Sequence, residues 1–205
     1  MTSGRRIAHD SVSMNEAMVL TVGRMALAPV FFLLYQLAGA GSPWLVLGCW
    51  VVFGLIEISD LLDGAVARRL GKVTELGKIL DPLADAVSRL TYFVCFAGSG
   101  IMPLWVLLIL VYRDLCVAYV RVLFARNSVM LPARPSGKLK ALVYALAGIA
   151  GLAVFTLQAL DIFGEARRIL APVTYGLMSA AAAVAIWSLA DYWLALPRKN
   201  RRSGT

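Results

Sequence analysis

Histidine occurs once and cysteine three times in 205 residues, and charged residues make up only 16% of the chain. Three cysteines cannot build a disulfide framework, and the single histidine, His9, lies in a polar N-terminal segment far from any other candidate ligand. With so little charge and a mean hydropathy of +0.76, the chain can neither stay solvated as a disordered polymer nor cover a soluble core with a polar surface. It has no internal repeat and no low-complexity tract. Carboxylates are scarcer than cations: 12 Asp+Glu stand against 20 Lys+Arg, giving a net charge of +8 and a pI of about 9.8. Such a balance suits nucleic acid, an anionic membrane surface or an anionic substrate. A hydrophobic content of 60% favours the membrane and leaves no nucleic-acid reading.

A membrane-crossing helix needs about 20 mostly apolar residues. Six stretches meet that length, at roughly 17–39, 43–69, 80–99, 103–126, 138–160 and 168–195, separated by turn-forming text such as Gly39-Ala-Gly-Ser-Pro43 and Gly98-Ser-Gly100. The expected fold is therefore an all-α integral membrane protein of six transmembrane helices over 17–196, with an N-terminal segment 1–16 and a basic tail 197–205. Arg5 and Arg6 before an apolar run ending in Ala38-Gly-Ala40 imitate a secretory signal, but Arg24 interrupts the run and the cleaved piece would be too long, so the first span is read as retained. Most loop cations, from Arg5 and Arg6 through Lys72, Lys78 and Arg134 to Arg198–Arg202, fall on one side of a six-span topology. The positive-inside rule makes that side cytoplasmic and puts both termini there. Cys49, Cys95 and Cys116 are dispersed in apolar text and read as packing residues.

Four of the eight aspartates fall within 26 residues: Asp60-Leu-Leu-Asp63-Gly64-Ala-Val-Ala67-Arg68, then eight residues, then Gly77-Lys-Ile-Leu-Asp81-Pro-Leu-Ala-Asp85. Spacings of three and four put each pair on one helix face, and the short connection makes the two helices antiparallel neighbours. Four converging carboxylates cannot all remain ionised without positive charge among them. Oxygen-only ligands suit Mg²⁺ or Mn²⁺, which keep coordination positions for substrate phosphates. Gly64 and Ala67, one turn after Asp60 and Asp63, leave room for a ligand against the helix, or alternatively serve small-residue helix packing.

This run resembles the signature of the CDP-alcohol phosphotransferase family, DxxDGxxAR followed by eight residues and GxxxDxxxD, at every fixed position. The resemblance implies a six-helix membrane fold, often a homodimer, that transfers a phosphatidyl-type group from a CDP-linked donor to an alcohol and releases CMP. It further implies that Asp60, Asp63 and Asp81 hold two divalent metals on the donor pyrophosphate. Asp85 would deprotonate the acceptor hydroxyl, with or without a metal contact of its own. Asp60, Gly64, Ala67, Arg68 and Gly77 would surround the nucleotide, Gly64 and Ala67 leaving room for cytidine and Arg68 holding its phosphate.

The remaining intramembrane charges bear on the acceptor. Arg113 and Arg121, about two helical turns apart, and Lys138 at the start of the fifth span can together hold an anionic group such as a phosphate monoester. The competing readings are that Arg113 pairs with Asp114 and that Lys138 is a topological anchor. The flanking text is most similar to bacterial phosphatidylglycerophosphate synthases, which implies an inner-membrane enzyme joining CDP-diacylglycerol to soluble glycerol 3-phosphate. It departs from them at Asp85-Ala86, where they carry Asp-Lys, and at Met18, where they carry Asn. Arg113-Asp114 is shared with cardiolipin synthases of the same fold, so phosphatidylglycerol and inositol phosphate stand as alternative acceptors. A proton or cation transporter using the aspartate cluster is the alternative from outside enzymology.

Overall fold

The computed structural model describes the backbone of residues 4–70, 75–126 and 135–194, and the side chains of residues 21–60, 83–120 and 136–194. Among the described residues the chain is all-helical: α1 (Gly4–Ala38), α2 (Pro43–Leu70), α3 (Glu75–Gly98), α4 (Leu104–Arg126), α5 (Pro135–Ala159) and α6 (Gly164–Leu194). The expected helices are all present, with three differences at their ends. Helix α1 begins at Gly4 and runs through the segment read as a separate N-terminal piece, since no Gly or Pro lies between Gly4 and Gly23 to stop it. Helix α3 begins at Glu75, so Gly77 belongs to its first turn rather than to the connection. Helix α5 begins at Pro135, whose fixed φ and missing N–H suit a first helical position.

The polarity is that of a membrane protein. Arg24, Arg89, Arg113, Asp114 and Lys140 are buried, whereas Leu33, Trp44, Leu108, Ile169 and Trp187 are exposed. Four segments of the described residues are long and apolar enough to cross a bilayer: Thr21–Ala38, Pro43–Asp60, Ser136–Ala159 and Gly164–Leu194. Helices α3 and α4 carry the charges Asp85, Arg89, Arg113 and Asp114 at their ionic end. The chain is a multi-pass membrane protein.

Helix α1 packs on α2 and α3, α4 on α3 and α6, and α5 on α6, with α5 also touching α2 and α3. Because consecutive helices alternate in direction, one end of the bundle gathers the C-terminal parts of α2, α4 and α6 with the N-terminal parts of α1, α3 and α5. The opposite end is closed by aromatic packing. Tyr35 stacks on Phe155 with centroids 3.7 Å apart and hydrogen-bonds Ser99 at 2.9 Å, and Trp50 donates to Thr156 at 2.9 Å. The turn between α1 and α2 depends on Gly41, whose φ of +87° is left-handed and whose missing Cβ would lie 3.3 Å from the Ala159 carbonyl.

Helix α5 approaches α3 most closely at Gly151. A Cβ on Gly151 would stand 2.6 Å from the ring of Phe96, which is fully buried and boxed by Phe93, Tyr92 and Tyr35. The ring has nowhere to move, so Gly151→Ala should destabilise the fold by about 1–3 kcal/mol, the usual cost of overpacking. At Gly176 no atom lies within 4 Å of the added carbon. Gly176→Ala should therefore be neutral or stabilising by up to ~1 kcal/mol through helix propensity. Thermal unfolding of both variants in detergent checks the contrast.

Candidate active site

Two ionic clusters lie at the end of the bundle where α3 and α5 begin. In the first, α2 contributes Glu57 and Asp60, three residues apart on one face, and α3 contributes Asp85 and Arg89, four apart. Arg89 donates from Nη2 to Asp60 Oδ2 at 2.6 Å and from Nη1 to the Ala141 carbonyl of α5 at 3.3 Å. Its Nε lies 2.7 Å from Asp85 Oδ1, and Glu57 Oε2 stands 3.8 Å from Nη2. The other oxygen of Asp60 accepts from Arg24 of α1 at 2.5 Å, and the Tyr92 hydroxyl donates to Glu57 at 3.2 Å. Both arginine side chains are almost wholly buried, while those of Asp60 and Asp85 remain 30% and 32% exposed. Carboxylates gripped from behind by buried guanidiniums and open in front can still reach a ligand.

The second cluster joins α4, α5 and α6. Arg113 donates to Asp114 Oδ1 at 2.9 Å and to Ser188 at 2.7 Å, and Lys140 donates to the same Asp114 oxygen at 2.7 Å. The ammonium of Lys140 also sits 4.6 Å from the centre of the Tyr144 ring. All three charged groups are buried, so two cations share one carboxylate. Arg113 Nε, Asp114 Oδ2 and the Tyr144 hydroxyl make no hydrogen bond among the described residues. Nearby, Ser136 donates to Asp191 at 2.6 Å. The clusters adjoin, since Arg89 of the first bonds the carbonyl of the residue after Lys140 of the second.

The structure thus brings together Asp60 and Asp85 of the aspartate motif. The side chains of Asp63, Gly64, Ala67, Arg68, Gly77, Asp81 and Arg121 lie outside the described residues. Among the described residues no group of three or more His, Cys, Asp or Glu is assembled as a metal site. The part that is described suits a hard divalent cation: two accessible carboxylates from facing helices, with no thiol or imidazole beside them.

Arg113 does enter a buried cluster, paired with Asp114 as the competing reading held. Lys138 is exposed instead, and Lys140 takes the interior place, because two residues along a helix turn the side chain by more than half a revolution. Sequence reasoning also passed over Arg24, Arg89 and Glu57. The available signal was a cation or carboxylate inside an apolar span, which is costly and usually functional.

The sequence profile of the CDP-alcohol phosphatidyltransferase family matches residues 14–192. The chain is similar to the CDP-diacylglycerol–glycerol-3-phosphate 3-phosphatidyltransferase of Treponema pallidum, 30% identical over 157 residues that cover 70% of this chain and 71% of the relative. It is similar to the probable phosphatidylglycerophosphate synthase of Mycobacterium tuberculosis, 34% identical over 133 residues, 65% of this chain and just under two thirds, 63%, of that protein. A cardiolipin synthase (CMP-forming) of Streptomyces coelicolor is 35% identical over 96 residues, 47% of this chain and 45% of the relative. The family profile thus covers both ionic clusters and reaches into all six helices, and the chain belongs to the CDP-alcohol phosphatidyltransferase family.

Proposed function

We propose that the protein transfers the phosphatidyl group of CDP-diacylglycerol to glycerol 3-phosphate, giving phosphatidylglycerophosphate and CMP. The observation that carries this reading is the adjacency of the two clusters: carboxylates on α2 and α3 suited to a metal-held pyrophosphate, beside a buried excess of positive charge suited to an anionic acceptor. The names of the treponemal and mycobacterial relatives support the same acceptor.

Asp60, Asp63 and Asp81 would hold two divalent cations, Mg²⁺ or Mn²⁺. When bound, these supply charge stabilisation to the oxygens gained and lost at phosphorus. Gly64, Ala67 and Gly77 leave space for the cytidine and Arg68 binds its phosphate. Asp85 accepts the proton of the acceptor hydroxyl, whose oxygen forms a bond to the diacylglycerol-bearing phosphorus as the bond to the CMP oxygen breaks. Arg113, Arg121 and Lys138 hold the acceptor phosphate, with Lys140 adding to the same cationic cluster. All six helices cross the bacterial inner membrane with both termini in the cytoplasm, where soluble glycerol 3-phosphate and CMP are exchanged. The working form is a homodimer.

Phosphatidylglycerol is the second reading for the acceptor, supported by Arg113-Asp114 and by the streptomycete relative. A panel of glycerol 3-phosphate, phosphatidylglycerol, inositol phosphate, inositol and serine, each with CDP-diacylglycerol and Mg²⁺, separates the two by CMP release. Glycerol 3-phosphate should be the productive acceptor. Release with phosphatidylglycerol alone would replace the first reading by the second.

The metal requirement is tested on the same assay. EDTA should stop CMP release and excess Mg²⁺ should restore it, while Asp63→Asn and Asp81→Asn should each lower kcat by on the order of 100-fold or more. Full activity in EDTA would remove the metal from the reading.

The phosphate clamp makes a separate prediction. Arg121→Ala should raise the KM for glycerol 3-phosphate about 10- to 150-fold, the worth of one charge-assisted contact of ~1.5–3 kcal/mol, and leave the KM for CDP-diacylglycerol unchanged. Arg121→Lys should lose less, since it keeps the charge without the fork. Steady-state kinetics with each substrate varied in turn decides it.

A further inference from the structure

Arg89 belongs to none of the eight fixed positions of the aspartate signature, yet its side chain joins three helices of the site. Its guanidinium uses each of its edges on a different helix: Nε toward Asp85 of its own α3, Nη2 on Asp60 of α2, and Nη1 on the Ala141 carbonyl of α5. Glu57 of α2 stands behind it at 3.8 Å, itself held by the Tyr92 hydroxyl. The guanidinium is 3% exposed and held out of water, while its Asp60 and Asp85 partners are 30% and 32% exposed. A guanidinium is planar and rigid, and three partners on its edges therefore have fixed positions relative to one another.

The partners matter because of what each belongs to. Asp60 lies in the half of the site assigned to the donor, and Asp85 is the proton acceptor in the proposed transfer. Ala141 follows Lys140, whose ammonium belongs to the cationic cluster assigned to the acceptor phosphate. Asp60 has a second cation in Arg24, so its position does not rest on Arg89 alone. Asp85 is joined to both halves through Arg89. We propose that Arg89 is a positioning residue for phosphatidyl transfer, fixing the Asp85 carboxylate in register between the donor carboxylates of α2 and the acceptor cluster that α5 carries. The inference rests on the phosphatidyltransferase reading above. It assigns Arg89 no contact with substrate.

A positioning role and a merely structural one make opposite predictions for cation binding. Removing the guanidinium leaves Glu57, Asp60 and Asp85 with one compensating charge fewer, so an added divalent cation is attracted more strongly. Misplacing the base by about 1 Å, in contrast, costs on the order of 100-fold in turnover. Arg89→Gln should therefore bind Mn²⁺ several-fold more tightly than the unaltered protein, read by electron paramagnetic resonance without donor or acceptor present. Its kcat should fall by on the order of 100-fold, with a much smaller change in either KM.

Arg89→Lys covers the case in which the glutamine variant does not fold. It keeps the charge but cannot fork between two helices, so Mn²⁺ affinity should stay as in the unaltered protein while kcat falls roughly tenfold. Unaltered kcat in either variant would overturn the proposal, as would Mn²⁺ affinity falling in parallel with kcat. Failure of the unaltered protein to release CMP with any acceptor would instead overturn the phosphatidyltransferase reading. The Mn²⁺ comparison is made without substrates and distinguishes that outcome from failure of the Arg89 assignment.

Discussion

The structure depends on one constraint: a charge taken out of water into a helical bundle must find its counter-charge there. An uncompensated buried ion costs several kcal/mol even after relaxation, and breaking a buried pair by removing one partner costs about 3–5 kcal/mol. Five described side chains with formal charge are almost wholly buried: Arg24, Arg89, Arg113, Asp114 and Lys140. Each is matched by a partner on another helix or on a neighbouring residue. Arg24 ties α1 to α2 through Asp60, Arg89 ties α3 to α2 and α5, and Lys140 ties α5 to α4 through Asp114. Hydrophobic burial cannot specify this arrangement, because lipid solvates an apolar side chain as well as a neighbouring helix does. Ion pairs can, because a helix rotated by one residue would present its charge to lipid.

Helix α5 shows how packing serves that pairing. Reading up α3 from the ionic end gives Asp85, Arg89, Tyr92 with Phe93, and Phe96; reading up α5 gives Ala141, Tyr144, Gly148 and Gly151. From Arg89 upward the two faces meet. Arg89 bonds the Ala141 carbonyl, Phe93 lies edge-on to Tyr144 with centroids 5.5 Å apart, Tyr92 lies over Gly148, and Phe96 covers Gly151. Both helices start at the same end and run in parallel. The missing side chains at Gly148, against Phe53 of α2 and Tyr92 of α3, and at Gly151, against Phe96 of α3, let the backbone of α5 come near enough to both helices for Arg89 to reach a carbonyl two turns below. Small residues at one level of the bundle thus enable a charge contact at another.

Much of this was legible before any coordinates. Helix number followed from apolar run lengths, and the turns followed from Gly39 to Pro43 and Gly98 to Pro103, where the structure places Gly41 and Gly100 at positive φ. The aspartate spacing assigned Asp60 to α2 and Asp85 to α3, and the structure brings these two to one arginine. What could not be read were contacts between residues far apart in sequence. Arg24 and Asp60 are 36 residues apart, Arg89 and Asp60 29, and Lys140 and Asp114 26. Local spacing says which residues share a face of one helix, but not which face of another helix it meets. The same limit hid Lys140: two lysines in Lys138-Leu-Lys140 are equivalent by composition, and only the rotation of α5 against α4 brings the second to Asp114. The early start of α1 was hidden differently, because its polar first turns lack the apolar periodicity that marks a helix inside a bilayer.

The two clusters leave unlike residues of charge. In the first, three described carboxylates, Glu57, Asp60 and Asp85, meet two guanidiniums, Arg24 and Arg89. Asp63 follows Asp60 by three residues along α2 and Asp81 precedes Asp85 by four along α3, so the motif adds more negative charge. In the second, Arg113 and Lys140 share Asp114, a cation in excess among the buried groups, with the half-buried Asp191 beside them on Ser136. Complete internal pairing would have been the more stable arrangement for either cluster, since every uncompensated charge is costly in a low-dielectric interior. The imbalance has opposite sign in two places joined by one arginine. An excess of carboxylates favours a cation with a pyrophosphate upon it, and an excess of cations favours a phosphate monoester. A donor and an acceptor that are both anionic would repel in water; held over compensating charges of this kind, the acceptor oxygen and the donor phosphorus can approach without that penalty.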